Sequence, residues 1–295
     1  TGMQNVGEIL KRYPRGGKFF TSALHAFPPP SVCAWFEAHG VPLKTEENLR
    51  VFPQSDDGTD IVNVFERLFR GNPNMHLFFH HSVTRVERVD GAFQLSFKDR
   101  PSKKVDALVL TTGGQTSRQT GSTGDGYAFA EALGHAITPL APSLFSFRTQ
   151  ESWPGELAGR SFKSATIAVS GSDGKKQAST GPFLFTHQGV SGPAVFAVSS
   201  LIAFEPFDRT HPLSLSIDLF PDQSSSALEH TLYRFLTDEP RRSLVNVLDH
   251  LLPKILAAHA CKETAMEPKM HAAEVSKKEA RKICSWLKAI PLHII

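Results

Sequence analysis

The segment from the apolar run VDALVL (105–110) to Gly134 constrains the fold of this chain more than any other. The run is short and rich in branched side chains, which is typical of a buried strand. It leads into Gly113 and Gly114, where a backbone without side chains lets a ligand approach closely. A second glycine-rich stretch, TGDG (123–126), then opens a predicted helix that Gly134 ends. The order strand, glycine turn, polar loop and helix is typical of nucleotide-binding sites.

Chemically, this order offers backbone N–H groups to a pyrophosphate and the Asp125 carboxylate to ribose or flavin hydroxyls. The alternative interpretation is a tight turn followed by an ordinary helix N-cap. The chain contains no Gly-x-Gly-x-x-Gly segment, and no lysine follows the glycines as a P-loop requires. The glycine pattern alone therefore leaves both interpretations open.

Composition excludes several classes of protein. The formal net charge is +3, and no compact run of lysine and arginine is interleaved with aromatic residues, so we expect no nucleic-acid partner. Cys33, Cys261 and Cys284 lie far apart and lack metal-ligand spacing, which argues against a disulfide framework or a metal site. No apolar run approaches the roughly 18 residues of a membrane span, and no signal-peptide pattern is present. We expect a cytoplasmic protein that contacts no membrane.

The pattern of the chain changes twice. In the first part we predict two helices: one from Ser31 to His39, with Ser31 as N-cap, and one that ends at Gly71. We also predict two strands, His76–Val89 and Ala92–Phe97, joined by a hairpin at Asp90-Gly91. After about residue 141, short alternating runs and a second hairpin signal at Asp173-Gly174 predict an antiparallel sandwich or barrel. From about residue 223 we predict three helices and then a short strand: Leu228–Leu236, Arg242–Leu256, Ser276–Leu287 and Pro291–Ile295.

The segment FTHQGVSGPA (185–194) carries a second set of candidate residues. Ser191 is placed to cap a helix whose first turn contains Pro193. His187, just before this helix, is a candidate proton donor or substrate partner. The alternatives are a capped helix with a structural histidine, and a Ser/His hydrolase, although the second glycine comes one residue too early for Gly-x-Ser-x-Gly.

Five segments in collinear order resemble the BaiN/YhiN-type flavoproteins, which are described as NAD(P)/FAD-dependent or aminoacetone-oxidase-like oxidoreductases. They are GVPLKTEENLRVFPQSDDGTDIV (40–62), LTTGGQTSRQTGSTGDGYAFAEALGH (110–135), FTHQGVSGPAV (185–195), SIDLFPD (216–222) and RRSLVNVLDHLLPKIL (241–256).

The resemblance implies an α/β fold, in which an FAD-binding Rossmann-like domain of the glutathione-reductase type carries an inserted antiparallel β-barrel-like unit and a small helical unit. The expected boundaries are 1–141 for the incomplete FAD domain, 142–222 for the barrel-like insert, resuming at 289–295, and 223–288 for the helical insert. The implied cofactor contacts are Val83, Thr112, Gly113, Gly114 and Asp125, with Val83 meeting the adenine through its backbone. By the same resemblance His187 and Ser191 lie in the family's barrel motif, and their catalytic role is our own hypothesis.

The chain differs from the family pattern at both ends. Members begin with a strand, a Gly-x-Gly-x-x-Gly turn and an acidic residue, and they close with a glycine-rich segment; none of these is found here. We therefore expect this chain by itself to carry little or no FAD.

The leading functional interpretation is part of an FAD-dependent oxidoreductase that passes hydride from reduced nicotinamide, NAD(P)H, through flavin. The acceptor would be an unsaturated or carbonyl small molecule, or oxygen. A non-catalytic fragment or binding scaffold and a Ser/His hydrolase are the alternatives.

Overall fold

The computed structural model describes residues 1–171 and 174–295. They form two compact units, Thr1–Pro139 and Leu140–Ile295. Within these described ranges, every helix is too short or too polar to cross a bilayer. Every strand pairing recorded for them is antiparallel.

The first unit combines helices with two small sheets. Its helices are α1 (Val6–Leu10), α2 (Gly17–Ala26), α3 (Pro29–Ala38), α4 (Thr59–Gly71) and α5 (Asp125–Ala132). Its strands are β1 (Leu43–Thr45), β2 (Val51–Pro53), β3 (Val83–Val89), β4 (Ala92–Phe97) and β5 (Arg100–Val105). Strands β1 and β2 pair with each other, and β3, β4 and β5 form a three-stranded sheet in sequence order.

The predicted hairpin at Asp90-Gly91 is confirmed, because both residues have positive φ, 50° and 79°, as a tight two-residue turn between twisted strands requires. The strand predicted over 105–110 is wrong. Only Val105 belongs to a strand, β5, and Val109 is 80% exposed. Branched residues raise strand propensity, but no described strand pairs with this run, so its backbone stays outside a ladder. The strand predicted over His76–Val89 is shorter than expected, because β3 begins at Val83 and the residues from His76 to Ser82 lie outside it.

The second unit contains a larger sheet and most of the core. Its strands are β6 (Phe147–Arg148), β7 (Ser161–Ser170), β8 (Lys176–Thr186), β9 (Gly189–Ser191), β10 (Leu213–Asp218) and β11 (Ile290–Ile294). Its helices are α6 (Pro193–Leu201), α7 (Ser225–Asp238), α8 (Leu244–Leu248), α9 (Lys254–Glu263) and α10 (Lys277–Leu287). One cluster of fully buried side chains joins the sheet to these helices.

The six strands of this unit lie in the order β11-β10-β7-β8-β9-β6, and the two ends of the sheet meet. Thr149, directly after β6, forms a single antiparallel bridge to Ile294 of β11. Two further backbone hydrogen bonds, Gln150 N to His293 O at 2.8 Å and Ile295 N to Arg148 O at 3.0 Å, join the same ends. We call this meeting line the seam. Because it has one bridge rather than a ladder, the sheet is curled but is not the closed barrel that the family resemblance suggested.

The helix boundaries differ from the predictions in three places. Helix α3 begins at Pro29 with Pro28 as N-cap, because prolines are tolerated in the first turn, so Ser31 lies inside the helix. Helix α6 takes Gly192 rather than Ser191 as N-cap. The helix predicted over 242–256 is two helices, α8 and α9, because Pro253 lacks the N–H that a continuous helix needs.

The other predictions in this unit fared better. Helix α10 is confirmed with a capping box between Ser276 and Glu279, and the strand predicted near the end is confirmed as β11. The hairpin signal at Asp173-Gly174 includes Asp173, which lies outside the described residues. The three-part domain division remains a prediction.

Lys288 links the end of the sheet to the helices. Its ammonium lies 2.6 Å from the Asp218 carboxylate and donates to the carbonyls of Phe220 and Gln223 at 2.8 and 2.7 Å. Both charged side chains are about four-fifths buried, with exposed fractions of 17% and 20%. All three ammonium donors are therefore satisfied, as a largely buried charge requires. The SIDLFPD segment thus has a structural role in joining β10 to α7 and α10.

Two glycines in the GVSG segment allow strands to approach one another closely. Gly189 has φ 149°, and a Cβ there would overlap the Phe147 carbonyl oxygen and lie 2.9 Å from Thr149 N. Gly192 has φ 109°, and its Cβ would lie 3.0 Å from Phe183 Cα. The neighbouring atoms are backbone, which cannot move without breaking the ladders. Glycine is therefore needed at both positions for β9 to join β6 and β8.

We expect Gly189→Ala to destabilise the second unit by about 3 kcal/mol or more, because it adds steric overlap to an unfavourable φ. Denaturant unfolding followed by fluorescence of Trp153 and Trp286 measures this change. Gly181→Ala in β8 is the matched control, since its Cβ would meet Ala194 at an ordinary 3.9 Å. Equal stability of the two variants would contradict the close-approach argument.

Candidate functional site

A cavity of about 310 Å³ in the first unit brings together three of the predicted cofactor contacts. Val83, Thr112 and Asp125 line it, with apolar residues from β3, β4 and the segment after β5. We call it the glycine cavity, because the two glycine-rich segments, 111–114 and 123–126, form one side. Gly113 and Gly114 belong to these segments but do not line the cavity themselves.

The two glycine-rich segments pack directly against each other. A Cβ on Gly126, in the first turn of α5, would overlap the Thr112 hydroxyl, and one on Gly124 would lie 3.1 Å from the Gln115 side chain. A Cβ on Gly114 would reach the Tyr127 hydroxyl at 3.5 Å. The absence of side chains at Gly124 and Gly126 therefore seats Thr112 against the start of α5, beside Asp125.

Backbone donors at this place are unused. Within the described part of the chain, no hydrogen bond is recorded for the N–H groups of Thr112, Gly113 and Gly114. Gly113 has φ 73°, a left-handed conformation that glycine adopts without strain. Helix α5 begins after Gly124 without a side-chain cap; Tyr127 N donates to the Gly124 carbonyl at 3.0 Å, whereas no hydrogen bond within the described residues uses the N–H groups of Asp125 and Gly126. Such free donors favour an anionic group.

A second cavity, of about 360 Å³, lies at the seam of the second unit, and we call it the seam cavity. Its mostly polar lining comes from β6 and the segment after it, from the β8–β9 turn, from the loop before β10 and from the residue after β11: Arg148, Thr149, Gln150, Glu151, Ser152, His187, Gln188, Arg209 and Ile295. Of the two catalytic candidates, His187 lines this cavity and Ser191 does not.

His187 and Gln188 form the two-residue turn between β8 and β9, because Thr186 pairs with Gly189. The His187 carbonyl lies 3.0 Å from where a Cβ on Gly155 would be, so the neighbouring 3₁₀ turn packs closely against it. Gln188 is fixed on both sides: its carbonyl accepts from Thr149 N at 3.0 Å, and its Oε1 accepts from Arg148 Nε at 2.8 Å. No hydrogen bond of the His187 ring is recorded among the described residues, so the ring is available to a ligand.

Glu151 connects this cavity to β11. One carboxylate oxygen accepts from the backbone N–H of His293 at 3.0 Å, and the other lies 2.7 Å from His293 Nδ1. The Glu151 side chain is three-quarters buried, with an exposed fraction of 25%. The carboxylate is therefore directed at the seam rather than into the cavity.

Ser191 lies on β9 opposite Leu184, and its hydroxyl pairs with Ser146 Oγ at 2.7 Å. Among the described residues no hydrogen bond joins it to His187. A nucleophilic serine needs a base within hydrogen-bond reach. The geometry thus gives the hydrolase alternative no support.

Neither the two buried cysteines nor the possible metal ligands among the described residues form a further catalytic or metal site. Burial raises the pKa of the Cys261 thiol to about 11 and that of Cys284 to about 12, so neither is a thiolate nucleophile at neutral pH. Within the described ranges, no group of three or more histidine, cysteine, aspartate or glutamate side chains is arranged to hold a metal ion.

Comparison with known families assigns the chain to a class. Residues 141–295 match the family described as HI0933-like protein barrel and H2TH domain, and the chain belongs to this family. The resemblance to the BaiN/YhiN-type flavoproteins is therefore confirmed.

Three curated relatives are similar over much of the chain. A 3-dehydro-bile acid delta(4,6)-reductase of Clostridium scindens is 24% identical over 245 residues, 81% of this chain and 57% of the relative. Ribosomal RNA dihydrouridine synthases of Haemophilus influenzae and Escherichia coli are both 29% identical, over 185 and 254 residues. These alignments cover 61% and 85% of this chain, and 42% and 58% of the two relatives. The chain thus spans about half the length of the curated relatives it matches.

Sequence reasoning missed four residues of the seam cavity: Arg148, Glu151, Gln188 and Arg209. Of these four residues, Gln188 is the one that lies in a segment already singled out from the sequence, HQGVSG (187–192). Arg148 and Glu151 lie close together in and after β6, whereas Arg209 comes from the distant loop before β10. Only the strand order brings them together.

We expect Gly126→Ala to displace Thr112 and loosen the glycine cavity, at a cost of about 1–3 kcal/mol to the local stability of α5. Amide hydrogen exchange of α5 measures this cost. Gly71→Ala at the end of α4 is the control, because its Cβ would meet no atom within 4 Å. Unchanged protection of α5 in Gly126→Ala would show that the two glycine segments are not interlocked.

Proposed function

We propose that this chain is part of an FAD-dependent oxidoreductase and that the glycine cavity holds the nucleotide part of FAD. The observation that carries the proposal is the meeting of Val83, Thr112 and Asp125 around one cavity, beside the unused N–H groups of Gly113 and Gly114. Donors suit the pyrophosphate, and a carboxylate suits the ribose hydroxyls. The first unit would then belong to a Rossmann-like FAD domain of the glutathione-reductase type.

The residues present fit this part of the cofactor. The cavity is at the small end of the range for ligand sites, which suits one half of a dinucleotide rather than all of it. Its apolar side chains from β3, β4 and the 105–110 run provide a surface for an adenine, and its polar side carries Thr112 and Asp125, next to the donors of Gly113 and Gly114. The backbone of Val83 would contact the adenine.

We infer that the reaction is the addition of hydrogen across a carbon–carbon double bond conjugated to a carbonyl. The names of the relatives support this choice, since a delta(4,6)-reductase and a dihydrouridine synthase both describe saturation of such a bond. When bound, FAD supplies the redox chemistry, taking hydride from NAD(P)H and giving it to one carbon of the double bond. The second carbon then needs a proton.

We propose that His187 provides that proton. His187 lines the seam cavity and is exposed, and its ring has no hydrogen-bond partner among the described residues. A histidine is the side chain best suited to give up a proton near neutral pH. Ser191, paired with Ser146, would act only by supporting β9.

The proposed partner is a small-molecule substrate, in a cytoplasmic protein without nucleic-acid or membrane contacts. The named substrates of the relatives share one further property, because a bile acid carries a carboxylate and an RNA carries phosphates. We therefore propose that the substrate bears an oxyanion in addition to its double bond.

An NMR titration of the 295-residue chain with FAD, and separately with ADP, tests the cofactor site. We expect both ligands to shift the amide signals of Thr112, Gly113, Gly114 and Asp125, with affinity too weak for the purified protein to be yellow. Asp125→Asn should weaken binding about tenfold, because a charged hydrogen-bond acceptor is lost. Asp106→Asn, exposed and outside the cavity, is the matched control.

Either of two outcomes would overturn the assignment of the cofactor site. One is a set of unchanged amide signals at millimolar FAD, which would favour the non-catalytic scaffold. The other is a shift confined to the second unit.

With FAD at saturating concentration, we expect His187→Ala to slow reoxidation of the reduced protein–flavin complex by cyclohexenone, a model acceptor without an oxyanion, about a hundredfold, the smaller end of general acid catalysis. The rate of flavin reduction by NAD(P)H should not change, because that step needs no proton from His187. Anaerobic stopped-flow absorbance measures both rates. His230→Ala, an exposed histidine of α7, is the control, and equal reoxidation rates in the two variants would remove His187 from the mechanism.

A further inference from the structure

We infer that the seam cavity is an oxyanion-binding site, in which Arg148 and Arg209 hold a carboxylate or phosphate group. The assignment of that group to the substrate rests on the proposed function. The site itself rests on the charges and contacts of the second unit.

The two guanidinium groups in this cavity are not neutralised by carboxylates. Arg148 and Arg209 both line it, and no ion pair of either is recorded in the described part of the chain. Glu151 is the acidic side chain in the lining, and both of its oxygens face His293. Among the side chains of the lining, positive charges therefore outnumber negative ones.

The arrangement favours an oxyanion over other ligands. Gln188 Oε1 accepts from Arg148 Nε, which fixes the guanidinium plane, and within residues 1–171 and 174–295 no hydrogen bond uses the Nη donors. A fixed guanidinium fork matches the two oxygens of a carboxylate or phosphate. His187 lines the same cavity, so an anion held there would be close to the residue proposed as proton donor.

The position of each arginine makes the site testable by substitution. Arg209 lies between α6 and β10, in a loop without helix or strand, so its side chain can be changed without altering the sheet. Arg148 belongs to β6, but its recorded side-chain hydrogen bond is the one to Gln188. Arg234 of α7, which lies over the Phe235 ring, is a matched arginine outside the cavity.

An NMR titration of the 295-residue chain with sodium phosphate and with sodium acetate tests the site, and sodium chloride at equal ionic strength controls for screening. We expect phosphate or acetate to shift the amide signals of Thr149 to Ser152 and of Gln188. Arg209→Gln and Arg148→Gln should each weaken this binding about tenfold, whereas Arg234→Gln should leave it unchanged. Thermal unfolding of each variant separates loss of binding from loss of fold.

The two salts distinguish the source of the oxyanion. Response to phosphate and to uridine monophosphate supports a phosphate ester, and response to acetate and to cholate supports a carboxylic acid. Equal shifts in chloride would overturn the inference, as would unchanged binding in a folded Arg209→Gln protein. Because no flavin is present, a failure here is distinguishable from a failure of the FAD titration, which reports on the first unit.

Discussion

The close approach of backbone segments at glycines is the constraint on which both cavities depend. In the first unit, Gly124 and Gly126 leave room for the side chains of Gln115 and Thr112, which seats one glycine-rich segment on the start of α5. In the second unit, Gly189 lets β9 meet β6. A side chain at Gly126 or Gly189 would occupy space already filled by Thr112 or by the β6 backbone. In each unit, therefore, the steric fit at these glycines is required for the cavity to form and to bind a ligand.

The two units differ in how they bury apolar surface. The sheet and helices of the second unit share one continuous core, which includes fully buried phenylalanines such as Phe147, Phe183 and Phe185. In the first unit, large apolar side chains such as Phe19 and Val109 stay exposed, at 89% and 80%. Exposed apolar surface of this extent is typical of faces that contact something else. Val109, one of these exposed residues, lines the glycine cavity. The seam cavity belongs instead to the unit that has the continuous buried core.

Local signals in the sequence predicted local structure well. The turn at Asp90-Gly91 and the helix predicted over Ser276–Leu287 need only neighbouring residues, and both are confirmed, the helix as α10. The run over 105–110 was predicted wrongly because a strand also needs a partner, which branched side chains alone do not supply. The break at Pro253 was visible in the sequence, but the apolar spacing continued across it.

The candidate sites show the same division. Val83, Thr112 and Asp125 followed from the family resemblance and do meet around one cavity, although they come from separate segments. Arg148, Glu151 and Arg209 did not follow from any motif, because the seam that joins them depends on strand order. A sequence pattern locates groups within one segment, and long-range pairing decides which segments share a site.

The most direct test of the account is a crystal structure of this chain soaked with FAD. We predict electron density for the adenosine diphosphate part of FAD in the glycine cavity. The adenine would lie beside Val83, the ribose at the Asp125 carboxylate and the pyrophosphate at the N–H groups of Gly113 and Gly114. Density for the nucleotide elsewhere, with an empty glycine cavity, would contradict it.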